Sequence, residues 1–136
     1  MTPTGRVFVA ILLFSMVTIE FGGRFLLSIH QRKQQVDPKS TQIALFRAGH
    51  AHAGVLVLLA LIVMPYIDLL TAGSTVKMLL RIGFGAAPII ISAGFFAAGG
   101  TAKDDKPGSP VAIVLAAGAV LAASLVGLGV ELLRTV

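Results

Sequence analysis

Hydrophobic residues in this chain come in four long blocks, not in the short alternations of a soluble core. The blocks run from about Arg6 to Ile29, Thr41 to Met64, Thr75 to Gly99 and Ser109 to Leu133. Each is long enough to cross a hydrocarbon core, which takes about 20 helical residues. The short alternating segments that build a membrane β-barrel are absent. The pattern predicts an all-α polytopic membrane protein. It is a four-transmembrane-helix bundle forming a single domain over residues 1–136, with both termini on the same side.

The polar punctuation agrees with these blocks. Asp37-Pro38-Lys39-Ser40 breaks the chain before the second block, with Ser40 or Thr41 as its N-cap. Pro65 ends or kinks the second block, and Ala72-Gly73-Ser74 turns the chain into the third. Pro88 lies inside the third block and predicts a kink. Asp104-Asp105-Lys106-Pro107-Gly108 separates blocks three and four, and Pro110 suits a first helical turn. The first block carries Glu20 and Arg24 and lacks a small-residue cleavage site after it, so it reads as a retained span, not a signal peptide.

Composition sharpens the picture. The chain is 56% hydrophobic and 12% charged, about half the charge of a soluble domain. The net charge of +5 is spread over loops and helix ends without interleaved aromatics, so no nucleic acid partner is expected. The lipid bilayer is the expected partner. The basic residues Arg32, Lys33, Lys39, Lys103 and Lys106 lie in the hairpin loops 30–40 and 100–108, with Arg24 and Arg47 nearby. Arg6, Lys77, Arg81 and Arg134 lie on the termini side. This balance places the hairpin loops in the cytoplasm and the protein in the cell (inner) membrane. There is no cysteine, which excludes disulfides, Cys-ligated zinc and Fe–S clusters.

Two helices carry small-residue stripes. Ala116, Ala119, Ala123 and Gly127 recur at three- and four-residue spacing in block four. Gly83 and Ala87, then Gly94 and Ala98, do so in block three. Small residues let backbones approach closely in lipid. These stripes predict tight packing of blocks three and four, against each other or against a neighbouring protomer. Glu131 continues the block-four stripe, either solvated or paired with Lys77 or Arg81.

Ionisable residues inside the first two blocks are the candidate chemistry. Counted from the hairpin, Glu20, His50 and His52 fall at about the same depth, roughly 13–17 Å in. Arg24 and Arg47 lie nearer the interface. Polar groups at such depth are costly and mark sites, relays or pairs. His50 and His52 are two apart and point about 200° away from each other, so one regular helix does not offer both to one metal ion. One of the two is expected to face Glu20 and the interior. The bland alternatives are Glu20–Arg24 pairing along the helix, snorkelling arginines, and neutral histidines bonded to backbone or to Ser92.

The run Phe46-Arg-Ala-Gly-His-Ala-His-Ala-Gly-Val-Leu56 resembles the signature of a family of small bacterial four-span membrane proteins of unassigned function. The likeness extends to the Phe-Gly-Gly element after Glu20. The same His-x-His helix is similar, over some eight residues, to that of haem-copper oxidase catalytic subunits. That resemblance implies His50 or His52 as an axial ligand to a b-type haem. The further histidines of a full oxidase are absent, so a second ligand would come from His30, from another protomer, or from nothing.

These readings yield ranked expectations. The first is haem b or a transition metal ion bound as an electron-transfer or accessory module. His50, His52 and Glu20 are the candidate metal ligands, and His50, His52, Arg47 and Arg24 the cofactor-binding set. The second is a proton-coupled transporter or channel with Glu20 and His50 as the relay. The third is a structural subunit of a larger membrane complex or a homo-oligomer. An enzyme acting on lipid or quinone comes last, because no Ser-His-Asp set or phosphate loop is present.

Overall fold

The structure, a computed structural model, describes residues 1–31 and 40–134. Its four helices are α1 (Pro3–His30), α2 (Thr41–Leu69), α3 (Ser74–Gly100) and α4 (Val111–Leu133). All four are long and apolar enough to cross a membrane. No strand occurs among the described residues. The break at Asp37-Pro38-Lys39 and the cations Arg32 and Lys33 lie outside them.

Local chemistry sets the helix ends. Thr2 caps α1 by accepting from the Gly5 N–H at 3.1 Å, and Pro3 takes the first helical position. Ser40 caps α2 by accepting from the Ile43 N–H. Gly73 is the N-cap of α3, and Pro110 that of α4. Asp104 and Asp105 both have positive φ, 50° and 56°, and turn the chain between Lys103 and Lys106. Short polar side chains tolerate that left-handed backbone.

Pro65 does not end α2, because the helix runs through it to Leu69. Beyond the proline, Ile67 and Leu70 are buried in the main core with Leu12, Met64, Leu80 and Phe84. Their burial holds the last turn despite the backbone bond that proline removes. That turn also brings Asp68 into the helix.

The core is centred on α3. Within its most apolar stretch 56% is buried, against 11% for α1 and 17% for α4. α2 and α3 make the most extensive contact, α4 packs on α3, and α1 packs on α2 and only brushes α3. Large apolar side chains cover the outer faces of α1 and α4, including Phe14, Phe21, Leu115 and Val126.

The expected tight contact of α3 with α4 forms, but α4 uses a different face. Gly83 and Gly94 of α3 are the holes. Ser124 sits on Gly83, and a Cβ at Gly94 would come within 2.8 Å of Val114. From α4 the buried residues are Ala117, Ser124 and Leu128, with Val114 and Leu121 packed alongside. Ala116, Ala119 and Ala123 are exposed on the outer side. Of that stripe only Gly127 turns toward α3, where a Cβ would lie 3.5 Å from Leu80. Almost every position of α4 is small or apolar, so size alone did not mark its face. Leu121 and Leu128 fill space against α3, which already supplies the small residues.

Candidate functional site

Two polar systems are built into the helices, one midway along them and one at the end nearest the α2–α3 turn. The first begins with His50. Its ring lies across Gly22 and Gly23 of α1. A Cβ on Gly22 would be 3.3 Å from His50 Nδ1, and one on Gly23 would be 3.3 Å from Cε1. The glycine pair thus makes the space that the imidazole occupies, which gives the Phe-Gly-Gly element a physical role.

His50 lines a half-open cavity of about 250 Å³ between α1, α2 and α3. α1 contributes Ser15, Thr18, Ile19 and Gly22, and α2 contributes His50, Ala53 and Val57. α3 contributes Pro88, Ile89, Ser92, Ala93 and Phe96. The exposed rim residues Thr18, Ile89 and Ala93 place the opening sideways, between α1 and α3. The lining contains no Asp, Glu, Lys or Arg.

Hydrogen bonding within this lining is incomplete. The Ser15 and Thr18 hydroxyls donate back along α1 to the Leu12 and Ser15 carbonyls, at 2.7 and 2.6 Å. His50 Nδ1 and Ser92 Oγ are buried and have no partner. Among the described residues only three buried side-chain atoms share that state, and two of them line this one cavity. Buried polar atoms are nearly always satisfied, so two unsatisfied ones on residues that line the same cavity are informative.

Phe96 lines the cavity on the hairpin side and belongs to a group of aromatic rings there. Phe96 stacks on Phe46 at 5.5 Å between centroids, and Phe25 meets Phe46 edge-on at 5.6 Å. Phe25, Phe46 and Phe96 lie about one helical turn from Gly22, His50 and Ser92 respectively. One ring from each of three helices therefore sits on the same side of the imidazole.

The other residues expected at this site lie elsewhere. His52 is on the outer face of α2. Its Nδ1–H donates to the Ala48 carbonyl at 2.8 Å, and its ring packs on Phe95 at 4.9 Å. The two-residue spacing accounts for this, since it turns one ring in and the other out. Glu20, Arg24 and Arg47 are exposed, and none forms an ion pair among the described residues. Glu20 shares the depth of His50 but not its azimuth. Gly22 and Gly23 take the inward positions of α1, which turns Glu20 away. His30 is exposed at the end of α1. Among the described residues no three His, Cys, Asp or Glu side chains gather as a metal site.

The second polar system was not anticipated. Asp68, near the end of α2, forms an ion pair with Arg81 of α3. The Thr2 N–H and hydroxyl each donate to the same carboxylate at 2.8 Å. Arg81 also donates to Thr2 Oγ1 at 3.3 Å, and Lys77 Nζ donates to the Asp68 carbonyl at 3.1 Å. The Asp68 and Arg81 side chains are only 9% and 6% exposed. The cap of α1, the end of α2 and the start of α3 are thereby tied together. Arg81 is consequently not the partner of Glu131, which pairs with Arg134 at 2.7 Å. Opposite charges thirteen residues apart across a short turn are a signal that the sequence does carry.

Comparison with known proteins adds no family to this geometry: no family model matches the chain, and no curated protein or solved structure matches it significantly.

Proposed function

We propose that this chain is a four-span integral membrane protein that binds a neutral, lipid-soluble molecule through His50 and Ser92. The single observation that carries the reading is that two residues with buried, unpartnered polar atoms, His50 and Ser92, line one laterally open cavity. In hydrocarbon, neither atom finds a partner in solvent, and each unmet group costs about 2–7 kcal/mol on water-to-apolar transfer scales. A ligand oxygen offers what the fold withholds. A carbonyl accepts from the serine hydroxyl and from Nδ1–H, and a ligand hydroxyl donates to Nδ1 in the other tautomer.

Neutrality follows from the lining, which has no charged side chain to meet a phosphate or carboxylate. The same fact weighs against haem within one protomer. Arg24 and Arg47, the expected partners of its propionates, are exposed away from the cavity. A relay from Glu20 to His50 has the same difficulty, because Glu20 faces outward. The basic residues of the hairpin loops 30–40 and 100–108 support a cytoplasmic position for those loops, with both termini opposite.

The test is made on the full chain purified in mild detergent. Extraction and mass spectrometry are expected to find a neutral lipophile retained by the native protein. Ser92→Ala and His50→Phe should each reduce retention about fivefold, the value of one hydrogen bond of about 1 kcal/mol. A Soret band or a stoichiometric metal that disappears in His50→Ala would overturn the neutral-ligand reading in favour of the haem or metal module.

A further inference from the structure

The cavity at His50 is not isolated. A second cavity of about 200 Å³ lies between α1 and α3, lined by Phe8, Ile11 and Leu12 of α1 and Ile82, Gly85 and Ala86 of α3. It is wholly apolar. On α1, Leu12 of the second cavity and Ser15 of the first are one turn apart. On α3, Ala86 and Ile89 stand in the same relation. The two cavities succeed one another along the α1–α3 cleft, where α1 rests on α2 and only brushes α3. From Phe8 to Gly22 the cleft follows about 21 Å of helix rise, against a hydrocarbon thickness of about 30 Å.

Resting on the reading above, we propose that the ligand is a single-tailed neutral amphiphile. Its hydroxyl or carbonyl head sits at His50 and Ser92, and its apolar tail lies along the α1–α3 cleft toward the end bearing Asp68. Three features define this class. The unpartnered polar atoms, on His50 and Ser92, belong to one end of the cleft, while the Ser15 and Thr18 hydroxyls are already bonded to α1, so the head is small. Phe96, stacked on Phe46, bounds that end, so the tail runs in the other direction, past the second cavity. The second cavity offers nothing but hydrocarbon contacts, so the tail carries no polar group. Bulk lipid already solvates a tail, and affinity then comes from the head finding partners at a depth where lipid has none. The tail contacts fix the direction in which the molecule lies.

Photolabelling of the full chain in phosphatidylcholine vesicles tests this. Two hexadecanol probes are used, one with its diazirine beside the hydroxyl and one with it at the far end of the tail. The head probe is expected to label the Ile19–Gly22 and Ala93–Phe96 stretches. The tail probe is expected to label Phe8–Leu12 and Ile82–Ala86. Unlabelled hexadecanol should compete both away, with hexadecyl phosphate at least about tenfold weaker. Ala86→Phe should abolish tail labelling in the cleft and leave head labelling intact. Ser92→Ala should weaken both.

Tail labelling spread over the outer residues Phe14, Phe21 and Leu115, with head labelling still dependent on Ser92 and His50, overturns the tail placement and leaves the proposed function standing. Equal competition by hexadecyl phosphate overturns the neutral head. Head labelling indifferent to His50→Phe and Ser92→Ala overturns both readings.

Discussion

Replacing Arg81 with methionine leaves the Asp68 carboxylate buried, with Thr2 as its sole remaining side-chain-directed partner. Removing one member of a buried ion pair costs about 3–5 kcal/mol, because the other charge stays desolvated. The geometry assigns the two halves unequal costs. After Arg81→Met, Asp68 keeps two donors from Thr2 at 2.8 Å, so the loss should fall near about 3 kcal/mol. After Asp68→Leu, Arg81 keeps only a 3.3 Å contact to Thr2 Oγ1, and its Nε already lacks a partner. That loss should approach about 5 kcal/mol. The double variant exchanges the pair for packed hydrocarbon and should lie within about 1 kcal/mol of the native protein. The chain has no cysteine, so paired labels can be introduced at chosen sites. Reversible unfolding in mixed micelles is then read by energy transfer. Additive single and double variants, with a coupling below about 1 kcal/mol, would refute the argument and mean that the pair is solvated.

Ser92→Ala should leave the ligand-free protein equally stable or raise its stability by about 1 kcal/mol, since it deletes a buried hydroxyl without a partner; a loss of that size in the same unfolding assay would mean the hydroxyl is bonded. Glu20→Gln should change neither stability nor hexadecanol photolabelling by more than about 0.5 kcal/mol or its equivalent, as expected of an exposed position; weakened labelling would return Glu20 to the site. Gly83→Leu should destabilise by about 1–3 kcal/mol and loosen α4 from α3, read as faster hydrogen exchange in α4; the same change at Gly118, which has open space around it, should be tolerated.

The helices were legible in the sequence because their signal is redundant. Long apolar blocks, Ser40, Gly73 and the Asp104-Asp105 turn all mark the same boundaries. Of the two outcomes expected at Pro65, an end or a kink, the end does not occur, because burial of Ile67 and Leu70, which the sequence does not display, holds the helix past it. Within the site, depth was legible and azimuth was not. Counting residues put Glu20, His50 and His52 on one level. Which of them faced inward depended on where α1 and α2 touch, and Gly22 and Gly23 decided that. The same two glycines were in view as part of a family-like motif. Their meaning, a flat seat for an imidazole, needs the neighbouring helix.

The two buried polar systems answer to different demands. At the end of the helices, Asp68, Arg81 and Thr2 satisfy one another almost completely, as stability requires of groups withdrawn from water. Midway along, the fold does the opposite. It removes two side chains from α1 at Gly22 and Gly23, sets an imidazole against the gap, and leaves that ring and Ser92 without partners. A scaffold selected for packing alone is better served by leucine at position 50 and alanine at position 92, which carry no unmet polar atom. Packing stability therefore does not account for His50 and Ser92, whereas the ligand proposed above would, by completing their hydrogen bonds. The lateral opening between α1 and α3 would give the proposed ligand its path from the bilayer, and Glu20, Arg24, Arg47 and His52 lie exposed outside this cavity.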